Sequence, residues 1–410
     1  MHALEGLRVV DMATVLAGPG TAKYLADFGA DVVKVEAPAG DGTRAMGWRD
    51  PADQQTFMWK VLGRNKRAVV LDLKSQEGLE AMRTLLADAD VLVENGRPGT
   101  LERLDLDPIE LLARNPGLVV LRVTGFGQTG PYRSRPGFAT LAEAMGGFAA
   151  INGEPDGPPL LPPIALTDEI TALVGAFAVM AALRHRDRSG DGQVVDVNLL
   201  ESMLQIMGPL PSVWAELGVL QPRLGSGIPY SVPRGTYQCA DGVWVALSTS
   251  AESVAHRLLT LLGVGEQERF ATFQGRIEHR EELDRVVGDW VAARPSAQVL
   301  DEVAAAEAAI APIYTMADLA ADPHVVEREA IVEVDGVRMP GPVARLSQTP
   351  GAVRHTGRPL GADTDDVVAA LRSGTSPWLA PSATGEVAES ANRPEGKGGS
   401  RRDASRGGSA

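Results

Sequence analysis

Composition narrows the possibilities before any motif does. The chain has 410 residues, 44% hydrophobic and 22% charged, with a net charge of −14. That is long enough for two domains, or one large domain with an insertion, and too acidic to favour nucleic acid or an anionic membrane surface. The single cysteine, Cys239, excludes an intramolecular disulfide and a multi-cysteine metal site. The six histidines include no i, i+4 pair, so no metal is expected. The N-terminal stretch lacks a basic region followed by an apolar run, so no signal peptide is expected and cytoplasmic location is the default.

In chain order, the first part alternates short apolar strands with helices, as a parallel α/β sheet demands. Strands are expected at 7–12, 31–36, 68–73, 91–94 and 118–124, with helices at 21–28, 76–87 and 108–114. A Gly/Pro-rich loop, 125–137, carries Arg133 and Arg135 and leads to a helix from Thr140. The stretch 162–188 reads as a buried helix. Thr167 is its candidate N-cap, Asp168-Glu169 stands at its entrance, and residues 170–183 are almost all apolar or small. That 14-residue run is too short for a bilayer span. The helix dipole should favour the charged form of Asp168. A strand at 193–198 and a helix at 199–208 follow. Residues 221–234 are Gly/Pro-rich and mark a domain boundary. Beyond them come a strand at 243–247, helices to 307, and a hairpin of 331–334 with 337–339 around Asp335-Gly336. Residues 376–410 are rich in Gly, Ser, Pro, Ala, Arg and Glu and are expected to be disordered.

Each candidate motif has a plainer reading beside it. Ala17-Gly-Pro-Gly20 follows the first strand, and Glu36 ends the second, as in a dinucleotide site. Lys23 stands where the third glycine belongs, so packing glycines and a helix start explain the motif equally well. Glu94-Asn-Gly-Arg-Pro-Gly99, Arg103 and Lys74 all follow strands, where ligands gather in α/β folds. With Arg133 and Arg135 they suit an anionic ligand, or are solvated surface charges. Cys239 has no basic neighbour and reads as a packing residue. By position alone, Asp168 starts a helix and nothing more.

Six stretches change that balance: LEGLRVVDMATVLAGPGTAKYLADFGADVVKVE (4–36), NKRAVVLDLKSQEG (65–78), ADVLVENGRPGTLERLDL (89–106), VTGFGQTGPYRSRPGF (123–138), RSGDGQVVDVNLLESML (188–204) and APIYTMADLAADPHVVEREAIVEVD (311–335). The sequence resembles the family III CoA-transferases, which include formyl-CoA transferase and carnitine CoA-transferase. α-Methylacyl-CoA racemase belongs to the same superfamily. The resemblance runs from about residue 4 to 371.

The resemblance implies an α/β fold. A Rossmann-like large domain is built from residues 1–224 and a return segment, 321–375. A smaller α+β domain, 225–320, lies between them, and two chains form an interlocked homodimer. It implies that Asp168 is the catalytic carboxylate, which becomes a mixed anhydride and then an aspartyl-CoA thioester. It implies CoA contacts at Val15, Leu16, Ala17, Leu71, Lys74, Asn95, Gly96, Arg97, Arg103, Arg135, Gly137 and Phe138. No permanently bound cofactor is implied: acyl-CoA and a small carboxylic acid are substrates. Phe138 replaces the histidine of the racemases, which removes one of two groups a proton transfer needs. Ala139 and Glu143 replace an Asp and a Gln common in the transferases. Gly225-Ser-Gly227 is the nearest candidate for a glycine-rich lid and reads better as a linker. The remaining alternatives are an acyl-CoA racemase or epimerase and a silent CoA-binding protein.

Overall fold

A computed structural model of the protein describes residues 2–379. Its central element is a parallel six-stranded sheet of β1 (Arg8–Asp11), β2 (Asp31–Glu36), β3 (Lys66–Val70), β4 (Val91–Glu94), β5 (Val119–Thr124) and β6 (Val194–Asn198), in the order β3-β2-β1-β4-β5-β6. This is the Rossmann order. Its connections reverse direction between β1 and β4, which opens a crevice at their carboxyl ends.

The strands are short and almost wholly apolar because helices cover both faces. On one face α1 (Ala17–Asp27) packs with the later helix α8 (Leu166–Ser189) over Val9, Val32, Val91, Val119 and Leu121. Between them in the chain lie α2 (Phe57–Leu62), α3 (Gln76–Ala87), α4 (Thr100–Arg103), α5 (Pro108–Arg114), α6 (Ala139–Met145) and α7 (Phe148–Ile151). On the other face α3 and α5 cover Val10, Val33, Val69, Leu92 and Val120. After β6 come α9 (Leu199–Ile206) and α10 (Leu210–Leu217).

A second core follows. β7 (Arg234–Gln238), β8 (Trp244–Ser248) and β9 (Ile310–Pro312) form an antiparallel sheet. Between β8 and β9 the chain forms α11 (Glu252–Leu261), α12 (Phe273–Glu278), α13 (Arg280–Ala292) and α14 (Ser296–Ala305). Cys239 is buried here with Val245, Leu258, Val287 and Val299. Next come α15 (Met316–Ala321), α16 (Pro323–Glu327) and the hairpin β10 (Ile331–Val334) with β11 (Val337–Pro340). Finally α17 (Thr364–Ser373) returns to the first sheet. Asp363 Oδ2 accepts from the Ala68 N–H at 2.8 Å, and Thr364 Oγ1 from the Val70 N–H at 2.9 Å, covering the outer edge of β3.

Three local expectations need correction. Residues 376–379 are not loose: Trp378 is buried, Arg67 donates to the Pro377 carbonyl at 2.7 Å, and the Leu379 N–H donates to Asp31. Composition misses this because one tryptophan anchors the segment. The rest of that stretch, 380–410, lies outside the described residues. Thr167 is not the N-cap of α8; Ala165 is, with no side-chain cap. Nor is α8 buried on most faces. Thr171, Ala172, Gly175, Val179, Ala182 and Leu183 are buried, whereas Leu173, Met180 and Phe177 (76% exposed) face outward. At 24 residues α8 is long and apolar enough to cross a membrane. Its inner face is nonetheless built for protein: a Cβ at Gly175 would lie 2.4 Å from Thr21 Oγ1, and one at Gly20 2.8 Å from the Ala172 Cβ.

Candidate active site

The crevice between β1 and β4 is stapled by an exchange of hydrogen bonds. The Thr14 N–H donates to Asn95 Oδ1 at 2.7 Å, and Asn95 Nδ2 donates to the Thr14 carbonyl at 2.6 Å. Next to Thr14, Val15 has φ = 66°. That is a left-handed conformation a β-branched residue enters only when its surroundings impose it. Those surroundings are ionic. Val15 N–H donates to Asp41 Oδ2 at 3.3 Å, Lys34 Nζ lies 3.4 Å from Asp41, and Lys34 also donates to the Ala13 carbonyl. Lys66 pairs with Asp11 at 2.8 Å and donates to the Pro19 carbonyl. All four charged side chains are buried.

The loop after β4 is held in the same manner. Glu94 accepts from the Gly96 N–H at 2.7 Å and from Arg122 Nε at 2.8 Å; Arg122 also binds Glu102. The loop after β5 approaches through Gly125 and Gly137, whose backbones touch: a Cβ at Gly137 would lie 2.3 Å from the Gly125 Cα. This contact brings Arg133, Arg135 and Phe138 over the crevice, with Arg135 stacked on the Tyr132 ring at 3.7 Å.

Two cavities occupy the strand ends. One, about 230 Å³, is lined by Val15, Leu16, Ala17, Asn95, Gly96, Arg97, Arg133, Arg135, Gly137, Phe138 and Asp168. The other, about 380 Å³, is lined by Leu71, Lys74, Arg103, Lys34 and Asp41, and Thr14 borders both. Asp168 and every residue expected to contact CoA thus line one or the other. Sequence reasoning did not single out Thr14, Lys34 or Asp41. Thr14 was findable as a polar residue just past β1, but the buried pair carries no sequence signal. The dinucleotide motif resolves into packing: Gly18 and Gly20 lie in α1 against Ala13 and Ala172, and Glu36 is held by Arg44 at 2.6 Å.

Asp168 lies in the first turn of α8, half-buried at the cavity wall. Its pKa is pushed up to about 6, chiefly by burial, with Glu143 and Glu169 adding like-charge repulsion. This reverses the expectation from the helix dipole: desolvation and two neighbouring carboxylates outweigh the N-terminal field. Glu169 points away and ties α8 to α1, accepting from the Tyr24 hydroxyl at 2.8 Å with Lys23 at 3.6 Å. Glu143, on α6, is buried, and its Oε1 accepts from Thr167 Oγ1 at 3.0 Å and Thr167 N at 3.5 Å.

A half-buried carboxylate in the wall of a strand-end cavity rimmed by arginines is the arrangement of an α/β protein suited to an anionic ligand. The chain belongs to CoA-transferase family III, whose model matches residues 4–364, and its activity is CoA transfer. It is 39% identical to a succinyl-CoA–D-citramalate CoA-transferase of Chloroflexus aurantiacus, covering 92% of this chain and 96% of that protein. It is 40% identical to the beta subunit of a succinyl-CoA–L-malate CoA-transferase of the same organism, covering 89% and 93%. Among solved structures, a CAIB/BAIF family protein from Brucella suis superposes with a TM-score of 0.80 at 33% identity, covering 90% and 99%.

Proposed function

We propose that Asp168 is the covalent nucleophile of CoA transfer. Its carboxylate attacks the thioester carbonyl of the donor; a C–O bond forms, the C–S bond breaks, and CoA leaves as thiolate. The thiolate then attacks the aspartyl carbonyl of the resulting anhydride, releasing the donor acid and leaving an aspartyl-CoA thioester. The acceptor carboxylate reverses the sequence and leaves as acyl-CoA. No water, metal or oxidant enters the balance. The observation that carries this reading is the position of Asp168 in the wall of the cavity that the strand-end loops enclose.

CoA lies along the second cavity in this reading, with Lys74 and Arg103 on its phosphates and the reactive end beside Val15–Ala17. The two curated relatives named above use succinyl-CoA with a hydroxylated dicarboxylic acid. We extend that substrate class to this chain: Arg97, Arg133 and Arg135, on the rim of the small cavity, suit the distal carboxylate of a dicarboxylate. The outward apolar face of α8, and Trp214 and Leu217 on α10, form the contact of a cytoplasmic homodimer. Sedimentation that gives only monomers at micromolar concentration would remove the dimer.

The decisive experiment is transfer from succinyl-CoA to dicarboxylic acids, read by mass spectrometry, with wild type and Asp168→Ala. Loss of transfer with CoA binding retained supports the reading; wild-type turnover by the variant sinks it. Hydroxylamine with acyl-CoA should derivatise Asp168, which a silent CoA-binding protein would not allow. Deuterium exchange at the α-carbon without an acceptor would favour a racemase, a chemistry for which Phe138 supplies no base.

A further inference from the structure

Glu143 occupies an unusual place for a carboxylate. It is 3% exposed, it comes from a different helix than Asp168, and both donors it receives belong to Thr167, the residue just before the nucleophile. The first N–H groups of a helix have no partner within it, and Ala165 supplies no side-chain cap to α8. Glu143 therefore caps α8 from outside and fixes the turn that carries Asp168. A neutral amide would do this equally well through its carbonyl oxygen. The charge is the surplus feature.

Building on Asp168 as nucleophile, we infer that Glu143 is a positioning residue that also sets the balance between free and acylated Asp168. Through Thr167 it holds the nucleophile in place, and by like charge it disfavours the free carboxylate. Every covalent form of Asp168 in the cycle, anhydride or thioester, is neutral at that side chain. Repulsion from Glu143 is present before attack and vanishes on acylation. The same repulsion thus drives the first step forward and keeps CoA parked on the enzyme until an acceptor arrives.

Of the other charges near this turn, Glu169 also repels Asp168, but less than Glu143 does, and the rest are paired or exposed. Glu169 on α8 is exposed and engaged by Tyr24 and Lys23 of α1. Asp27, also on α1, is paired with Arg64. On the strands beneath, Arg122 is held by Glu94 and Glu102, and Asp196 accepts from the Gln128 N–H. Glu201 on α9 is exposed. Arg97, Arg133 and Arg135 sit on the cavity rim, exposed to solvent.

The test is Glu143→Gln, which keeps the cap and removes the charge. We expect the acid limb of kcat/KM to move to lower pH by about half to one unit, and the equilibrium share of aspartyl-CoA thioester, quenched and weighed intact, to fall about three- to tenfold. A second readout needs no turnover: the change in Tm on Asp168→Asn, between pH 5 and pH 8, in the wild-type and Glu143→Gln backgrounds. The stabilisation at pH 8 should be smaller in the variant background. Should the amide not fold, Glu143→Met removes cap and charge together, and the pH-dependent part of the thermal cycle, which loss of a cap alone would not move, is then the readout. Unmoved pH profile and thioester share, with no coupling in the thermal cycle, would show Glu143 to be a cap only. If wild type transferred CoA without labelling Asp168, the nucleophile assignment would fail instead, and the thermal cycle would still report whether the two carboxylates interact.

Discussion

The N–H of Val15 is held 3.3 Å from the carboxylate of Asp41, and this bond ties a strained loop in the wall of the small strand-end cavity to a buried ion network. Burial alone would raise the Asp41 pKa. The Lys34 ammonium and the two donors of Thr43 outweigh it and hold the carboxyl below its usual range. A depressed folded-state pKa contributes stability above the unfolded value, near 4, which is lost as pH falls through the folded value.

Asp41→Asn should therefore cost about 3 kcal/mol at pH 7, as expected when one partner of a buried pair is removed. The difference from wild type should shrink below about pH 4, where the carboxylate is protonated on unfolding. Urea unfolding at pH 7 and pH 3.5 checks both numbers. Transfer activity should fall as well, because Val15 loses the contact that imposes its conformation.

Asp168 runs the opposite way. Its folded-state pKa, about 6, lies above its ordinary value, so ionising it works against the fold. The sign gives a loss of stability as pH rises from about 4 to about 6, complete above that window. Asp168→Asn should raise Tm at pH 8, lose that advantage near pH 4, and transfer no CoA. A lower Tm at pH 8 would contradict the buried, like-charged environment. In wild type the same group should produce the acid limb of kcat/KM, close to pH 6.

Lys74 and Arg103 are exposed at the second cavity and distant in sequence from Asp168. Replacing either with Ala should raise KM for acyl-CoA about tenfold, the scale of one charge-assisted hydrogen bond, with kcat nearly unchanged. The wild-type KM should also rise with salt, and less so in the variants. A fall in kcat without a change in KM would place these residues elsewhere in the cycle.

Gly125 and Gly137 meet backbone to backbone, so neither has room for a methyl group. Gly137→Ala should destabilise by about 1–3 kcal/mol, the usual cost of overpacking. It should also cut kcat/KM by displacing Arg135 and Phe138. Gly130, two turns of the same loop away and with open space around its Cβ position, is the control for packing, although its φ of +81° makes Asn rather than Ala the suitable replacement.

Much of this was legible in the sequence because the relevant signals are local. Residues 31–36, 76–87, 91–94 and 108–114 form their elements with the expected bounds, since strand apolarity and helix caps such as Ser75 and Asp107 are written in neighbouring residues. The short helix at Phe57–Leu62 and strand β7 were not legible, the first for its length and the second for its Gly and polar content. For the site, strand-end position located the basic residues. The family resemblance singled out Asp168. What sequence could not give was the sign of its pKa shift, because that depends first on how deeply the fold buries Asp168 and then on Glu143, 25 positions earlier, packing against its helix. Nor could it give the Lys34–Asp41 support of Val15, where two buried charges look like ordinary surface residues until the strands are paired.

The cover over β3 has a consequence for how the chain is made. Five strands of the parallel sheet can assemble once residue 124 has been synthesised, and the sixth by 198. The bonds that close the β3 edge come from Asp363 and Thr364, with Trp378 sealed beside them. A ribosome must therefore translate the entire second core before the first sheet can be finished, leaving an open strand edge on the nascent chain throughout. The return of residues 363–378, rather than the assembly of the six strands, is the event that completes the sheet, and chains truncated near residue 350 should aggregate more readily than the full chain.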